Sequence, residues 1–232
     1  MSNPLSEFPV AKKFPPKHPD RLQLYSLPTP NGVKASIMLE ETGLPYEVHK
    51  IDFDKKDQKS PEYLALDPNG KIPSMIDPDG PGGKPLPLFE SGAILHYLAD
   101  KSRKLLPFDG PERWHVMQWV FLQVGHIGPM FGQAEFYLSH DGKEWDEPKS
   151  RQRYVDESKR LLGVLDGHLD GREWFVGSDI TIADIAMVGW VRAVFEDKKA
   201  AELMRVSSFT HAKAWLDRML ARPAVKRGLK IP

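Results

Sequence analysis

The stretch KIPSMIDPDGPGGKPLPLFESGAILHYL, residues 71–98, decides how the chain is read. Lys71 to Asp77 and Pro85 to Phe89 are short β-like runs on either side of the turn-rich Pro78-Asp79-Gly80-Pro81-Gly82-Gly83, so the pair forms a hairpin. Pro73 stands at the start of the first run. A proline there fits a cis bond after Ile72, which makes a tight turn and leaves the Ile72 backbone free for an extended, peptide-like ligand. A trans proline on an edge strand is the other reading. Glu90-Ser91-Gly92 then leads into Ala93-Ile94-Leu95-His96-Tyr97-Leu98, an apolar helix ending near Lys104. N–H groups and the dipole at a helix start hold a carboxylate, the Ser91 hydroxyl adds a donor, and Glu90 pairs with an ammonium. Such a site suits an α-amino acid head group, although Ser is also a favoured plain N-cap.

Upstream, Arg21 to Leu27 alternates through Leu22 and Leu24 and ends at Pro28, as a strand does. Val33 to Thr42 has helical spacing and stops at Gly43, and Tyr46 to Phe53 alternates again. This is a β-α-β unit, with parallel strands and a right-handed crossover expected. Ser60-Pro61-Glu62 opens a short helix with a cap and a first-turn proline. The full order, β-α-β-α-β-β-α, is that of a thioredoxin-like domain.

Downstream the pattern changes. Glu112 to Ser139, Pro148 to Leu169, Thr181 to Glu196 and Phe209 to Ala221 all have helical spacing, and no convincing strand remains. The expected fold class is α+β, a thioredoxin-like N-terminal domain at 21–102 and an all-α domain at 112–232, joined near 103–111. Residues 1–20 carry five prolines and no apolar core of a signal sequence, and read as an extended arm. Thr181-Ile182-Ala183-Asp184 has the spacing of a capping box and reads as structural.

Lys plus Arg and Asp plus Glu balance at 32 each, so no global field draws nucleic acid or an anionic membrane. No run approaches the ~20 apolar residues of a membrane span, and a cytoplasmic location is expected. Eight histidines form no ligand pair, and no metal site is expected. Gly80-Pro81-Gly82-Gly83-Lys84 lacks the spacing of a phosphate loop. There is no cysteine, so thiol chemistry would need a thiol from a ligand.

Ile72-Pro73, Phe89-Glu90-Ser91 and Ser178-Asp179-Ile180-Thr181-Ile182-Ala183-Asp184, in this order and spacing, resemble the glutathione S-transferase family from about Arg21 to the end. Pro28-Thr29-Pro30-Asn31-Gly32, Phe89 to Leu95, and Gln118-Trp119, Gln123-Val124-Gly125, Gly128-Pro129-Met130 and Gly132-Gln133 are similar to the bacterial Nu class and to the fungal nitrogen-regulator prion protein of the same fold.

The resemblance implies a glutathione-dependent disulfide-bond reductase, with peroxidase activity as a companion. It also implies two glutathiones per site as co-substrates, and a homodimer. Where the family commonly places a Ser or Cys, this chain has Pro30, which donates nothing. Thr29 and Asn31 remain to stabilise a thiolate whose free pKa is near ~8.5. Tyr25 is a rival donor but sits within a strand. By the same resemblance Ile72, with Pro73, pairs with the cysteinyl backbone, Glu90 and Ser91 take the γ-glutamyl end, Gln58 and Lys71 lie near the glycyl carboxylate, and Arg153 reaches a glutathione from the helical domain. The second substrate is a small disulfide, a hydroperoxide or an electrophile. An alternative is conjugation to an apolar electrophile held by Phe121, Phe131 and Tyr137, although aromatics at that spacing are more often core. A non-catalytic regulator is the third reading. The fungal relative's regulatory role goes with an Asn/Gln-rich extension, a composition that the 20-residue arm lacks.

Overall fold

The computed structural model describes residues 5–231 and forms two compact units, the first running to Lys104 and resuming at Pro223, the second spanning Leu105–Arg222. The first contains α1 (Pro9–Lys13), β1 (Leu22–Ser26), α2 (Gly32–Thr42), β2 (Tyr46–Lys50), α3 (Pro61–Leu64), β3 (Ser74–Asp77), β4 (Leu86–Phe89) and α4 (Ser91–Ser102). The second contains α5 (Gly110–Leu122), α6 (Gly128–Ser139), α7 (Pro148–Leu169), α8 (Ile182–Glu196), α9 (Lys198–Met204) and α10 (Thr210–Ala221). The last helix, α11 (Pro223–Gly228), returns to the first unit and packs on α2. Close approach explains the contact, because a Cβ on Gly228 would lie 2.6 Å from the Ile37 Cα.

The sheet order is β2-β1-β3-β4, with β1 and β2 parallel and the other pairs antiparallel. This is the thioredoxin-like arrangement. Every residue of β1 is buried, although Gln23 and Ser26 are polar. Gln23 is tolerated because its amide donates to the His18 and Arg21 carbonyls and its oxygen meets His49 Nε2 at 2.8 Å. Helix α2 ends at Gly43, whose φ of 74° is left-handed, as the sequence stop implies.

Three expectations shift. The second strand ends at Lys50, short of Phe53, because the Asp52 carboxylate turns the chain by accepting from the N–H groups of Asp54 and Lys55. The long helix expected over Glu112 to Ser139 is divided by a π turn at Gln123–Ile127, just before Pro129, which has no N–H to give the ladder. The arm is not merely extended. Leu5, Val10 and Ala11 are buried against Tyr25, Ile51, Tyr63, Leu66, Ile72 and Ile76, and Lys13 pairs with Asp57 at 2.9 Å. Further on, the Glu47 carboxylate accepts from the N–H groups of Lys17 and His18.

In the second unit α8 is buried along most of its length. Its start is the capping box read from the sequence. Thr181 Oγ1 accepts from Ala183 N, and buried Asp184 accepts from the N–H groups of Thr181 and Phe175 and from Trp215 Nε1 at 2.9–3.1 Å.

Candidate functional site

Sheet register gathers the candidate residues of the first unit. Ser74 lies opposite Tyr25 on one side and Phe89 on the other. The segments that follow Tyr25 and Phe89 and precede Ser74 therefore leave the sheet at one end. They are Leu27–Asn31, Glu90–Ser91 and Ile72–Pro73. The peptide bond between Ile72 and Pro73 is cis. Among the described residues the Ile72 N–H and C=O take no hydrogen bond, while its side chain is buried in the core under the arm.

The turn after β1 is built on close contacts. The Thr29 N–H donates to the Leu27 carbonyl at 2.7 Å, and its carbonyl accepts from Val33 N. Thr29 Oγ1 accepts the Gly32 N–H at 3.1 Å. The backbone donor of Thr29 is thus spent within the turn. Its hydroxyl, acting as acceptor there, still carries a proton to donate. Gly32 is required, since a Cβ would stand 1.9 Å from the Leu27 carbonyl oxygen. Asn31 is half-buried at the N-cap position of α2, and its side chain makes no capping bond. Tyr25 is fully buried, stacked on His49 at 4.7 Å and edge-on to Phe14. Burial, helped by Glu47, pushes its phenol above the ordinary range. It is core, as its place in the strand suggests.

At the start of α4, Glu90 occupies the N-cap position with φ 71° and ψ 115°, is exposed, and makes no side-chain cap bond. Ser91 is therefore the first helical residue and not a plain cap. A left-handed non-glycine residue costs on the order of 1–3 kcal/mol and persists where the surroundings impose it. Here it places Glu90 just ahead of the helix, next in the chain to the residues of its first turn.

Buried beneath Ser91 is Lys34, 1% exposed, whose Nζ lies 3.2 Å from Ser91 Oγ. Burial pushes its ammonium down to about 7, against an upward pull from Glu90. Sequence reasoning passed over Lys34, because a lysine within a helical pattern reads by default as solvated. A signal was present all the same: it sits on the same helix as the Thr29–Asn31 turn and shares a face with Ile37 and Met38, which are fully buried.

Gln58 is half-buried, and its Oε1 is buried without a hydrogen-bond partner among the described residues. Lys71 is exposed; its N–H donates to Asp67 and its carbonyl accepts from the Tyr63 hydroxyl at 2.6 Å. Arg153 belongs to the second unit, exposed on α7. Of the aromatics, Phe131 is core, Tyr137 stacks on Tyr154 at 5.7 Å, and Phe121 is 65% exposed. Among the described residues no cluster of three or more His, Asp or Glu is placed to hold a metal, and no helix is long and apolar enough to cross a membrane.

A four-stranded sheet whose cis-proline segment, donor-bearing first turn and acidic helix start share one end defines a protein of the thioredoxin-like class. Residues 20–100 match the glutathione S-transferase N-terminal domain and residues 114–223 the glutathione S-transferase C-terminal domain, so the chain belongs to the glutathione S-transferase family. It is 40% identical over 209 residues to the disulfide-bond oxidoreductase YfcG of Escherichia coli K12, covering 90% of this chain and 94% of that one. Among solved structures, a glutathione transferase from Pseudomonas putida with one glutathione disulfide bound per subunit has 57% identity and a TM-score of 0.96, covering 98% of this chain and 99% of that one. One from Burkholderia graminis with two glutathione molecules per subunit has 57% identity and a TM-score of 0.97, covering 100% and 97%.

Proposed function

We propose that this chain is a glutathione-dependent disulfide-bond oxidoreductase in which the reacting sulfur belongs entirely to the ligand. The observation that carries the reading is the Thr29 hydroxyl, oriented as an acceptor of Gly32 N–H with its own proton left to give, at the sheet end where Ile72 offers an unpaired backbone. With no cysteine in the chain, both sulfur nucleophiles must be glutathione.

The hydroxyl of Thr29 and the amide of Asn31, at the positive end of α2, favour the thiolate over the thiol. Neither is a base, so the thiol proton leaves to solvent. The thiolate attacks one sulfur of the substrate disulfide; a new S–S bond forms and the other sulfur departs as a thiolate that takes a proton. A second glutathione thiolate then attacks the glutathione sulfur of the mixed disulfide. Glutathione disulfide forms, the second substrate thiol is released, and two electrons have passed from two glutathiones to one disulfide. The relatives solved with one glutathione disulfide or two glutathiones per subunit support that stoichiometry.

In the same reading Ile72, after which Pro73 turns the chain, pairs with the cysteinyl backbone. Glu90 and Ser91 hold the γ-glutamyl end, Gln58 and Lys71 lie at the glycyl carboxylate, and Arg153 completes the ligand set on the strength of the resemblance. A Nu-class place in the family, a cytoplasmic location and a homodimer belong to it too. The dimer is supported by Trp114 and Phe121, one heptad apart on α5 and 70% and 65% exposed. The test is parallel turnover, with glutathione, of a small disulfide, a hydroperoxide and a chloro-aromatic. The disulfide should be the best substrate. Turnover of the chloro-aromatic alone would establish conjugation instead, and binding without any turnover would establish a regulator.

A further inference from the structure

Lys34 is the most deeply buried cation in the neighbourhood of the candidate site, and the mechanism above leaves it without a task. A lysine at 1% exposure must give up nearly all its hydration, a cost that a purely structural position avoids with an apolar residue. Its Nζ is directed at the hydroxyl of Ser91, the first residue of α4. A lysine ammonium only donates. With the Ser91 oxygen accepting from Lys34, the single hydroxyl proton of Ser91 must point away from it.

We infer that Lys34 is a positioning residue for the γ-glutamyl carboxylate of glutathione, orienting Ser91 as a donor to that carboxylate and placing a buried positive charge behind it. The chain Lys34 N–H to Ser91 O–H to carboxylate then runs in one direction, beside the open N–H groups at the start of α4. Glu90 meets the ammonium of the same head group, so the two charges of the amino acid end face opposite charges of the protein. This inference rests on the glutathione reading of the site and assigns it a residue that reading did not use.

Among the described residues, the charges on the elements that pack around α2 are placed as follows. Strand β1 has no charged residue. On α4, His96 pairs with Asp100 and Lys101 with Asp77. On α11, Arg227 pairs with Glu40 while Lys226 is exposed. Glu40 and Glu41 lie at the far end of α2. Glu90 acts on Lys34, and its pull favours the charged form.

The experiment compares two thiol-blocked ligands by calorimetry: S-methylglutathione, and its analogue with 4-aminobutyrate in place of γ-glutamate, which keeps the amine and lacks the carboxylate. Lys34→Met should bind S-methylglutathione about tenfold or more weakly than the wild type while binding the analogue almost equally well. An equal loss for both ligands, or none for either, would overturn the inference, because damage to the fold does not distinguish the two. Should Lys34→Met fail to fold, the wild type itself decides. At about pH 8, above the depressed pKa of Lys34, binding of S-methylglutathione should take up a proton and binding of the analogue should not, read from the dependence of the heat on buffer ionisation. Equal proton uptake with both ligands would overturn it. Failure of the wild type to bind either ligand would contradict the glutathione reading, and this inference with it.

Discussion

At the scale of single residues the site depends on which groups keep a donor after the chain has folded. Thr29 spends its N–H on Leu27 and keeps its hydroxyl proton, so in the proposed mechanism the hydroxyl is the group assigned to the thiolate. A hydrogen bond to a charged acceptor contributes about 1.5–3 kcal/mol, roughly ten- to a hundredfold in rate. Thr29→Val should therefore lower kcat/KM for a small disulfide by that factor, and Thr29→Ser should retain most of it. Equal rates for the two variants would point to the backbone instead. Asn31→Ala should also sharply reduce turnover; an unchanged rate would remove Asn31 from the mechanism. The residue types at this turn were legible in the sequence, since Pro30 excludes itself and no cysteine exists. The choice between the two donors of Thr29 was not, because it depends on where one N–H points. Lys34 was only hinted at by its spacing to Ile37 and Met38, since the burial of a lysine itself is a tertiary fact.

At the scale of elements, two junctions hold the structure in place. The start of α8 gathers three N–H donors, from Thr181, Phe175 and Trp215, on one buried carboxylate. Asp184→Ala leaves all three without an acceptor, at about 1–3 kcal/mol each. We expect at least about 3 kcal/mol of destabilisation in urea unfolding, with a smaller loss for Asp184→Asn, which keeps one acceptor oxygen. A loss below about 1 kcal/mol for Asp184→Ala would show that the helix start repacks. The turn into α2 is equally constrained. Gly32→Ala drives a methyl into the Leu27 carbonyl, and should abolish glutathione binding through displacement of Thr29 even where the melt stays cooperative. Helices α7, α8 and α10 were legible because each sustains its apolar period over three or more turns. Two short helices and the π turn were not. Helices α1 and α9 have five and seven residues, too few for a period to emerge, and the π turn before α6 arises from a backbone bond that Pro129 does not form.

At the scale of the molecule, segments from both ends of the described chain stabilise the first unit. Deleting the arm through Phe14 uncovers the core around Tyr25, Ile51 and Tyr63. Removing the buried Leu5 and Val10 alone forfeits about 1.5–3 kcal/mol each, so the melting temperature should fall by more than about 5 °C, and an unchanged melt would mean the core reseals. The sequence, with its proline-rich start, suggested an arm but not its anchoring, because the partners of Leu5 and Val10 are tens of residues away. The order of strands and helices from β1 to α4 was legible, since each run had its own period and its own stop. All of this serves one chemical claim, that a chain without cysteine reduces a disulfide by holding a ligand's thiolate at Thr29. Turnover of bis(2-hydroxyethyl) disulfide by the purified chain with glutathione tests it most directly. The account predicts one glutathione disulfide and two released thiols per substrate, at a rate well above the uncatalysed exchange and strongly reduced in Thr29→Val. A protein that binds glutathione yet leaves that exchange at its uncatalysed rate would contradict it.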